Sequence, residues 1–254
     1  MKISVVTVSF NSATTVVDTL RSVAAQTHPD IEHIVIDGGS TDNTVALVRQ
    51  HGSRVVHLVS ERDGGIYDAM NKGLALATGD LVGFLNADDV YAEPGSVAAL
   101  AAEAARSGAE AVYGDLVYVR EDDLTAVVRM WRSGAFRPHQ LRLGWMPPHP
   151  TLYVQRSTMQ TLGGFNAGLR IAADYDFVLR CLGRPGATAA YLPKVLVRMR
   201  TGGASNRSLR ALLQKSREDL QALHNSGVGG IFALLCKNAR KLPQFFRRER
   251  SVLR

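Results

Sequence analysis

The stretch Leu81-Val82-Gly83-Phe84-Leu85-Asn86-Ala87-Asp88-Asp89 decides the fold of this 254-residue chain. Its apolar first half follows the turn signal Thr78-Gly79-Asp80 and predicts a buried central strand. In an open α/β sheet the carboxyl ends of the strands border the ligand crevice, so we expect Asp88 and Asp89 at its floor. Two adjacent carboxylates repel each other there unless a hard cation such as Mg²⁺, shared with substrate phosphate oxygens, neutralises them. A solvated turn is the alternative for an isolated Asp-Asp pair.

Strand and helix patterns alternate at short spacing before this stretch. Strand patterns at 3–9, 31–36 and 55–59 are each followed by a helix pattern. This order predicts an α/β fold with a mostly parallel sheet covered by helices on both faces. No Gly-x-Gly-x-x-Gly motif follows the first strand, which argues against a nicotinamide or flavin enzyme.

The residues after the central stretch continue this α/β pattern less regularly. They predict an Ala-rich helix at 94–107, a hairpin at 111–131 and a strand at 151–154. A further helix is predicted from about Asp174 to Leu182. The loop 133–150 is long for a compact domain, and loops of that length are usually functional or mobile.

Charge is distributed unevenly along the chain. Residues 205–254 contain 11 Lys or Arg and 3 Asp or Glu, whereas residues 1–204 contain 19 and 20. A nucleic-acid-binding core would carry basic residues across its folded face, so the nearly neutral first part argues against one. The two cysteines, Cys181 and Cys236, form no metal-type or redox-type cluster, which favours a cytoplasmic protein. Asn11-Ser12 cuts the first apolar run short, and we interpret that run as a strand rather than a signal peptide.

Six sequence blocks together resemble those of the family 2 glycosyltransferases of bacterial exopolysaccharide, O-antigen and glycolipid pathways. This is an inverting family with the GT-A fold, a Rossmann-like, mostly parallel mixed sheet flanked by helices. The resemblance covers about residues 2–200, and the joint order and spacing of the blocks carry it. The blocks lie at 5–11, 37–42, 63–73, 77–80, 84–89 and 173–176, the last followed by Leu179-Arg180.

The resemblance implies a nucleotide site along the strand ends. It places the first strand near the base and ribose, Asp37 on the base, and Asp63 on the wall beside them. Residues on the following helix line the same pocket. The implied nucleotide-binding positions are Thr7, Val8, Ser9, Asp37, Asp63, Asn71, Lys72, Asn86, Ala87 and Asp88.

The resemblance also implies a metal and a general base. Asp88 and Asp89 match the motif, usually Asp-x-Asp, that coordinates Mn²⁺ or Mg²⁺ on the donor diphosphate. Asn86 replaces the first Asp, so that position can hydrogen-bond the ribose but supplies no charge. Asp174 matches the carboxylate that takes the proton from the acceptor hydroxyl.

Three further residues are possible acceptor or diphosphate ligands: His149, Asp176 and Arg180. Asp174 and Asp176 lie two apart on a helix and do not share a face, so only one of them can point into the cleft. Asp176 is equally suited to pair with Arg180 four residues on, and His149 in its Pro-rich loop can equally be structural.

Residues 205–254 are predicted to form an amphipathic, basic helical tail outside a catalytic domain of residues 1–204. Leucines recur at helical spacing from 209 to 223, and a second apolar cluster at 231–235 precedes several Lys and Arg residues. Such a segment suits the surface of an anionic membrane, which would place the protein at the inner face of the cell membrane. A helix packed on the catalytic domain is the alternative.

We therefore expect an inverting glycosyltransferase that uses Mn²⁺ or Mg²⁺ and moves a sugar from a nucleotide donor, such as a UDP-sugar, to a glycan or lipid-linked acceptor. A sugar nucleotidyltransferase would need a Gly-rich basic loop where this chain has Asn11-Ser12-Ala13-Thr14. An inactive glycan-binding subunit is disfavoured by the retained Asp88, Asp89 and Asp174. Nucleic-acid binding through the tail is a fourth possibility.

Overall fold

The structure, a computed structural model, describes residues 1–202 and 209–240. The strands within these residues are β1 Ile3–Ser9, β2 Ile31–Asp37, β3 Val55–Ser60, β4 Leu81–Phe84, β5 Val90–Tyr91, β6 Ala111–Val119, β7 Val127–Trp131, β8 Tyr153–Gln155 and β9 Ala189–Arg200. The helices are α1 Val16–Ala24, α2 Thr44–His51, α3 Ile66–Leu76, α4 Ser96–Ser107, α5 Arg156–Thr161, α6 Ala173–Leu182, α7 Leu209–Asn225 and α8 Ile231–Ala239, with short 3₁₀ turns at Pro138–Leu143 and His149–Thr151.

One mixed sheet contains the strands of the described residues, in the order β3-β2-β1-β4-β8-β6-β9-β5 with β7 beside β6. Its long ladders, β1 with β2 and β6 with β9, are parallel, and the antiparallel ladders are short. The predicted α/β architecture is confirmed, and β4 lies centrally as expected. The strand is shorter than predicted and ends at Phe84. The chain still follows β1 beyond it, because the N–H groups of Leu85 and Ala87 donate to Val6 O (2.9 Å) and Val8 O (3.2 Å).

Helices cover both faces of this sheet because its inner strands are apolar on both sides. Val6 and Val8 of β1 pack with α3 and α6, whereas Ile3 and Val5 face the side of α1 and α4. Gly73 of α3 sits so close to β1 that an added Cβ would overlap Val6 Cγ1. This close packing holds α3 against β1, and the first turn of the helix borders the strand ends.

The strand β9 was not anticipated from the sequence. It runs parallel to β6, pairs with β5, and ends at Arg200, whose side chain reaches the turn after β4. Its first half contains Pro193 and Lys194 and is half-buried, so no clean alternation of apolar residues marks it. The loop 133–150 is well packed: Trp145 is buried, meets Tyr113 edge-on and donates its indole N–H to Ser133 O (2.9 Å).

The helices α7 and α8 of the predicted tail pack on the main core. Ala222, Leu223 and Ala233 are buried in the same cluster as the apolar residues of α6. Both helices therefore contact the core that contains α6, and the domain boundary at residue 204 stays a prediction. The predicted features at 203–208 and 241–254 lie outside the described residues. No helix in the described part is long and apolar enough to span a bilayer.

Candidate active site

Asp37 organises the carboxyl ends of β1, β2 and β3. The register of the parallel strands places it level with Ser9 and Ser60. It is fully buried and accepts hydrogen bonds from the hydroxyls of Ser9 (3.1 Å), Ser60 (2.8 Å) and Ser40, and from the N–H groups of Gly39 (3.2 Å) and Ser40 (2.9 Å). Burial alone raises the pKa of Asp37, but these hydrogen bonds outweigh it and hold that pKa below its usual value. The carboxylate is therefore charged, and it shapes the loop after β2.

The other predicted nucleotide residues of β1 also use their polar groups within the chain. Thr7 is fully buried and its hydroxyl lies 2.9 Å from His33 Nε2. Val8 and Ser9 are nearly buried. A contact between these side chains and a nucleotide stays a prediction, since the structure shows them as the packed end of a strand.

The loop before α3 brings Asp63 against the end of β2. A Cβ on Gly38 would lie 2.6 Å from Asp63 Oδ2, so only glycine at 38 allows this approach. Asp63 Oδ1 accepts the N–H of Gly65 (2.9 Å). Lys72 pairs with Glu61 (2.7 Å) across the start of the helix. Asp37 and Asp63 thus form one acidic wall at the crevice edge.

Asn71 serves a different purpose from the one predicted. Its side-chain amide donates to Phe165 O (2.8 Å) and accepts from Phe165 N–H (2.8 Å). Both polar groups of the amide are used in joining α3 to the turn at 163–165. The structure gives Asn71 a structural role, and nucleotide binding by its side chain stays a prediction.

The turn after β4 carries the predicted metal motif. Asp88 and Asn86 are half-buried, whereas Ala87 and Asp89 are buried. Burial and the neighbouring Asp88 charge raise the pKa of Asp89 well above its usual value. Of the two predicted metal ligands, only Asp88 therefore has accessible surface, and metal ligation by Asp89 stays a prediction.

Arg200, at the end of β9, clamps this turn. Its guanidinium donates to Asp88 O (2.7 Å), Glu121 O (3.1 Å) and the Asp18 carboxylate (2.6 Å). The backbone N–H of Arg200 donates to Asp89 Oδ1 (3.3 Å). The side chain is only 7% exposed. Three chain segments are held by one planar cation, a geometry that a flexible ammonium group does not reproduce. Sequence reasoning missed Arg200 because the strand that positions it was not recognised.

The oxygen atoms of this turn fit a hard divalent cation. Asn86 Oδ1 and Asp89 Oδ2 are buried and have no hydrogen-bond partner, and the Asp88 carboxylate lies between them in sequence. Carboxylate and amide oxygens are suitable ligands for Mg²⁺ or Mn²⁺. No group of three His, Cys, Asp or Glu side chains among the described residues could hold a metal. An ion here would therefore rely on substrate oxygens for the rest of its coordination, as Mg²⁺ commonly does.

Asp174 lies in the first turn of α6 and is half-buried. Its Oδ1 accepts the N–H of Tyr175 (2.7 Å), and the Tyr67 hydroxyl lies 3.4 Å from the same oxygen while donating to Ile171 O (2.8 Å). Burial raises the pKa of Tyr67 well above its usual value, so this hydroxyl stays protonated. Tyr67 is thus a packing residue, and its hydroxyl also touches the candidate base.

His149 lies close to this carboxylate. Its ring stacks on Phe84 (5.7 Å between centroids) and meets Phe165 edge-on (5.5 Å). Both ring nitrogens are buried and lack a hydrogen-bond partner. Burial lowers the pKa of His149, although the Asp174 charge opposes the shift, so the ring is neutral near pH 7. A neutral imidazole can donate one hydrogen bond and accept another, and the predicted contact of His149 with acceptor or diphosphate stays a prediction.

Tyr118 of β6 lies near both acidic groups of the site. Burial raises its pKa, the charges of Asp89 and Asp174 raise it further, and Arg129 opposes them. The Arg129 guanidinium sits 3.8 Å from the centre of the Tyr118 ring. Both carboxylates therefore disfavour ionisation of the Tyr118 hydroxyl. No sequence motif marked Tyr118 or Arg129.

Asp176 and Arg180 pair with each other in the structure, and their predicted roles as acceptor or diphosphate ligands stay a prediction. Asp176 is buried and accepts from Arg180 Nε (2.7 Å), and the other two guanidinium nitrogens donate to Leu162 O and Gly164 O (both 2.7 Å). The pair joins α6 to the turn at 162–164, which is a structural contact. The helical spacing already implied that Asp174 and Asp176 point in different directions.

Comparisons with known proteins agree with this geometry. Residues 4–174 match the sequence profile described as glycosyl transferase family 2. A PGL/p-HBAD biosynthesis glycosyltransferase of Mycobacterium tuberculosis is 32% identical over 209 residues, which cover 80% of this chain and 78% of the relative. An uncharacterized glycosyltransferase of the same organism is 39% identical over 180 residues, 70% of this chain and 68% of the relative.

Two solved structures share the fold. Staphylococcus aureus TarS 1–349 in complex with UDP-GlcNAc superposes with a TM-score of 0.70 at 18% identity, covering 99% of this chain and 74% of that one. The mannosyltransferase PcManGT of Pyrobaculum calidifontis, in complex with GDP-Man and Mn²⁺, superposes with a TM-score of 0.67 at 20% identity. The match covers 96% of this chain and 73% of that one. The fold is therefore that of the GT-A glycosyltransferases. The profile match and the identities to the mycobacterial relatives show that this chain belongs to glycosyltransferase family 2.

Proposed function

We propose that this protein is a metal-dependent, inverting glycosyltransferase that moves one sugar from a UDP-sugar to a glycan or lipid-linked acceptor. One observation carries the proposal: Phe84 at the end of β4 packs on Phe165 (5.0 Å between ring centres), Phe165 packs on Tyr67 (5.8 Å), and the Tyr67 hydroxyl lies 3.4 Å from Asp174 Oδ1. The half-buried candidate base and the acidic turn after β4 are therefore joined through one packed cluster, which supports a base and a diphosphate site in one cleft. Inversion by single displacement needs this arrangement, with the acceptor on one side of the sugar and the leaving group on the other.

Asp174 acts in this reaction as the general base. Its carboxylate takes the proton of the acceptor hydroxyl while that oxygen bonds to the anomeric carbon. The bond from the anomeric carbon to the diphosphate oxygen breaks, and its electron pair leaves with the nucleoside diphosphate. The neutral ring of His149 borders the base and can orient the acceptor hydroxyl.

Asp88, with the amide oxygen of Asn86, is the group we assign to holding Mn²⁺ or Mg²⁺. When bound, such an ion supplies positive charge that stabilises the departing diphosphate. The Arg200 clamp keeps the Asp88 peptide in place. The Mn²⁺ in the mannosyltransferase structure supports this assignment for the fold.

The names and ligands of related proteins support the proposed donor, and one exposed helix face supports the proposed acceptor. The TarS structure holds UDP-GlcNAc, which supports a UDP-sugar, and the mycobacterial relative is named a PGL/p-HBAD biosynthesis glycosyltransferase. Ile231, Phe232 and Leu235 of α8 are each more than 60% exposed and precede the Lys- and Arg-rich residues 241–254. This combination suits an anionic membrane surface, where a lipid-linked acceptor lies. We place the protein at the inner face of the cell membrane.

A donor panel tests the proposal. Purified protein is given UDP-, GDP- or dTDP-sugars with Mn²⁺ or Mg²⁺ and membrane extract as acceptor, and released nucleotide is measured. We expect turnover with a UDP-sugar that chelator abolishes and Mn²⁺ restores. Asp174→Asn should lower kcat by about 100- to 10,000-fold, and Asp88→Asn should lose the metal response.

The control is Asp122→Asn, in the exposed turn after β6, where the carboxylate pairs with Arg120 (2.7 Å) and should leave turnover unchanged. A product with the donor's anomeric configuration would contradict the inverting mechanism. Release from no donor under any metal would overturn the enzymatic proposal.

A further inference from the structure

The loop that precedes Asp174 is held by a residue of α7, far away in sequence. Helix α6 begins without a side-chain cap of its own, because Ala172 precedes it. The Glu218 carboxylate accepts instead from the N–H groups of Ala172 (3.0 Å), Ile171 (2.7 Å) and Arg170 (3.2 Å). Three consecutive backbone donors thus converge on one carboxylate.

Glu218 is itself fixed in place and charged. It is only 8% exposed, and the Gln214 side chain, one turn earlier on α7, donates to its Oε1 (2.9 Å). Burial raises the pKa of Glu218, but the hydrogen bonds from the backbone and from Gln214 outweigh it, so the pKa lies below its usual value. An ionised acceptor makes the stronger hydrogen bonds that hold this loop.

The peptide groups of Ile171 are held from two sides. Its N–H donates to Glu218 on α7, and its carbonyl accepts from the Tyr67 hydroxyl on α3, which also touches Asp174 Oδ1 (3.4 Å). Ile171 therefore links α7 to α3, three residues before Asp174.

A buried ion pair joins α7 to α8 and lies against α6. Lys237 of α8 donates to Asp219 (2.6 Å), and its ammonium group lies 3.3 Å from the centre of the Tyr175 ring, next to Asp174 in sequence. The side chains of Asp219 and Lys237 are 2% and 6% exposed. Burial lowers the pKa of Lys237, and Asp219 opposes that shift. Breaking this pair would leave a buried charge without a partner, so α7 stays docked.

We propose that Glu218 is a positioning residue for catalysis: by clamping the N–H groups of residues 170–172 it sets where the Asp174 carboxylate stands relative to the acceptor hydroxyl. The inference rests on the proposed role of Asp174 as general base. In this proposal α7 contributes to catalysis by positioning Asp174. Displacing a base by about 1 Å can reduce turnover by about 100-fold.

The test compares Glu218→Ala and Glu218→Gln with Glu103→Ala, an acid on α4 that pairs with Arg106 far from the loop. Steady-state kinetics give kcat and the donor KM, and nucleoside diphosphate binding is titrated separately. We expect Glu218→Ala to lower kcat by about 10- to 100-fold with the donor KM and diphosphate affinity within about twofold of wild type. Glu218→Gln keeps an acceptor oxygen and the side-chain volume, so it should retain part of the wild-type kcat. The control Glu103→Ala should retain the full wild-type kcat.

A double variant separates positioning from a general structural defect. In an Asp174→Asn background, Glu218→Ala should cost little further activity, since the base that it positions is already gone. The same fractional loss in both backgrounds, or unchanged kcat in Glu218→Ala and Glu218→Gln, would overturn the inference. Wild-type kcat in Asp174→Asn would instead refute the general-base assignment. If Glu218→Ala does not fold, Glu218→Gln supports the same comparison.

Discussion

Asp174 and Asp176 show how neighbouring carboxylates acquire different functions. Asp176 points into the protein and forms an ion pair with Arg180, whereas Asp174 stays half-buried beside Tyr67 and His149. The pair Asp88 and Asp89 divides in the same way, with only Asp88 accessible. In both pairs one carboxylate is buried and its neighbour keeps accessible surface.

At the residue scale, Arg200→Lys tests the clamp on the metal-motif turn. A lysine cannot hold Asp88 O, Glu121 O and Asp18 together, because its ammonium group lacks the planar fork. We expect activation by Mn²⁺ to need about 10- to 100-fold more metal, since outer-shell partners have effects of this size. Metal titration of nucleotide release measures it.

The matched control is Arg106→Lys on α4, where the guanidinium is 72% exposed and pairs only with Glu103. It should leave the Mn²⁺ response as in the wild type. An unaltered metal requirement in Arg200→Lys would show that the clamp has no influence on the metal motif.

At the element scale, the position of α3 depends on its contact with β1. Gly73 allows the helix to approach Val6, and the helix in turn carries Tyr67 to Asp174 and Asn71 to the turn at 163–165. One close helix–strand contact therefore positions the side chains of Tyr67 and Asn71 relative to Asp174 and the turn at 163–165. This contact lies beneath the site and touches no substrate.

Gly73→Ala is expected to destabilise the protein by about 1–3 kcal/mol, because the added Cβ overlaps Val6 and the well-packed strand cannot yield. The higher helix propensity of alanine offsets about 1 kcal/mol of this cost. Urea unfolding measures the change. Gly95→Ala is the control, since its Cβ meets no atom within 4 Å, and should change stability by at most about 1 kcal/mol. Equal stability of the two variants would contradict the close-packing argument.

At the scale of the whole molecule, buried histidines make stability depend on pH. Burial lowers the pKa of His33 from its usual 6.5 to about 3, and burial lowers the pKa of His149 as well. The unfolded chain therefore binds more protons than the folded one between about pH 6.5 and pH 3. Stability is fully present above that range and falls as the pH falls through it.

For His33 alone the free energy of unfolding should drop by about 2 kcal/mol between pH 7 and pH 5. Denaturant unfolding at both values checks this in the wild type and in His33→Gln, which should lose less stability over the same range. His57→Gln, on the exposed face of β3, should keep the wild-type dependence. An identical pH dependence in His33→Gln and wild type would count against a neutral buried ring.

The exposed face of α8 allows a second test at this scale. Replacing Ile231, Phe232 and Leu235 together by serine should weaken binding to phosphatidylglycerol vesicles by at least about tenfold, since the inserted apolar groups carry most of that affinity. Vesicle co-sedimentation measures it, with exposed Val56→Ser as the control. Unchanged vesicle binding in the triple variant, or tight salt-sensitive binding to DNA without lipid preference, would argue against the membrane surface.

The local patterns of the sequence determined the alternating strands and helices of residues 3–84, the central β4, and the acidic residues at the strand ends. These features depend on periodicities of two and 3.6 residues and on turn signals, which are all properties of neighbouring residues. The joint motifs also identified the family, which the profile match confirmed. The predicted nucleotide, metal and base roles remain to be tested by the experiments above.

Only the tertiary structure decided which polar groups meet. Asn71 finds its partner 94 residues away, Glu218 holds Ile171 from 47 residues away, and Arg200 reaches Asp88 across 112 residues. No local pattern encodes such pairs, because they arise when β9 joins the sheet and α7 docks on α6. The physical reason is that buried hydrogen-bonding groups must find partners, and packing of distant segments determines which partners are within reach.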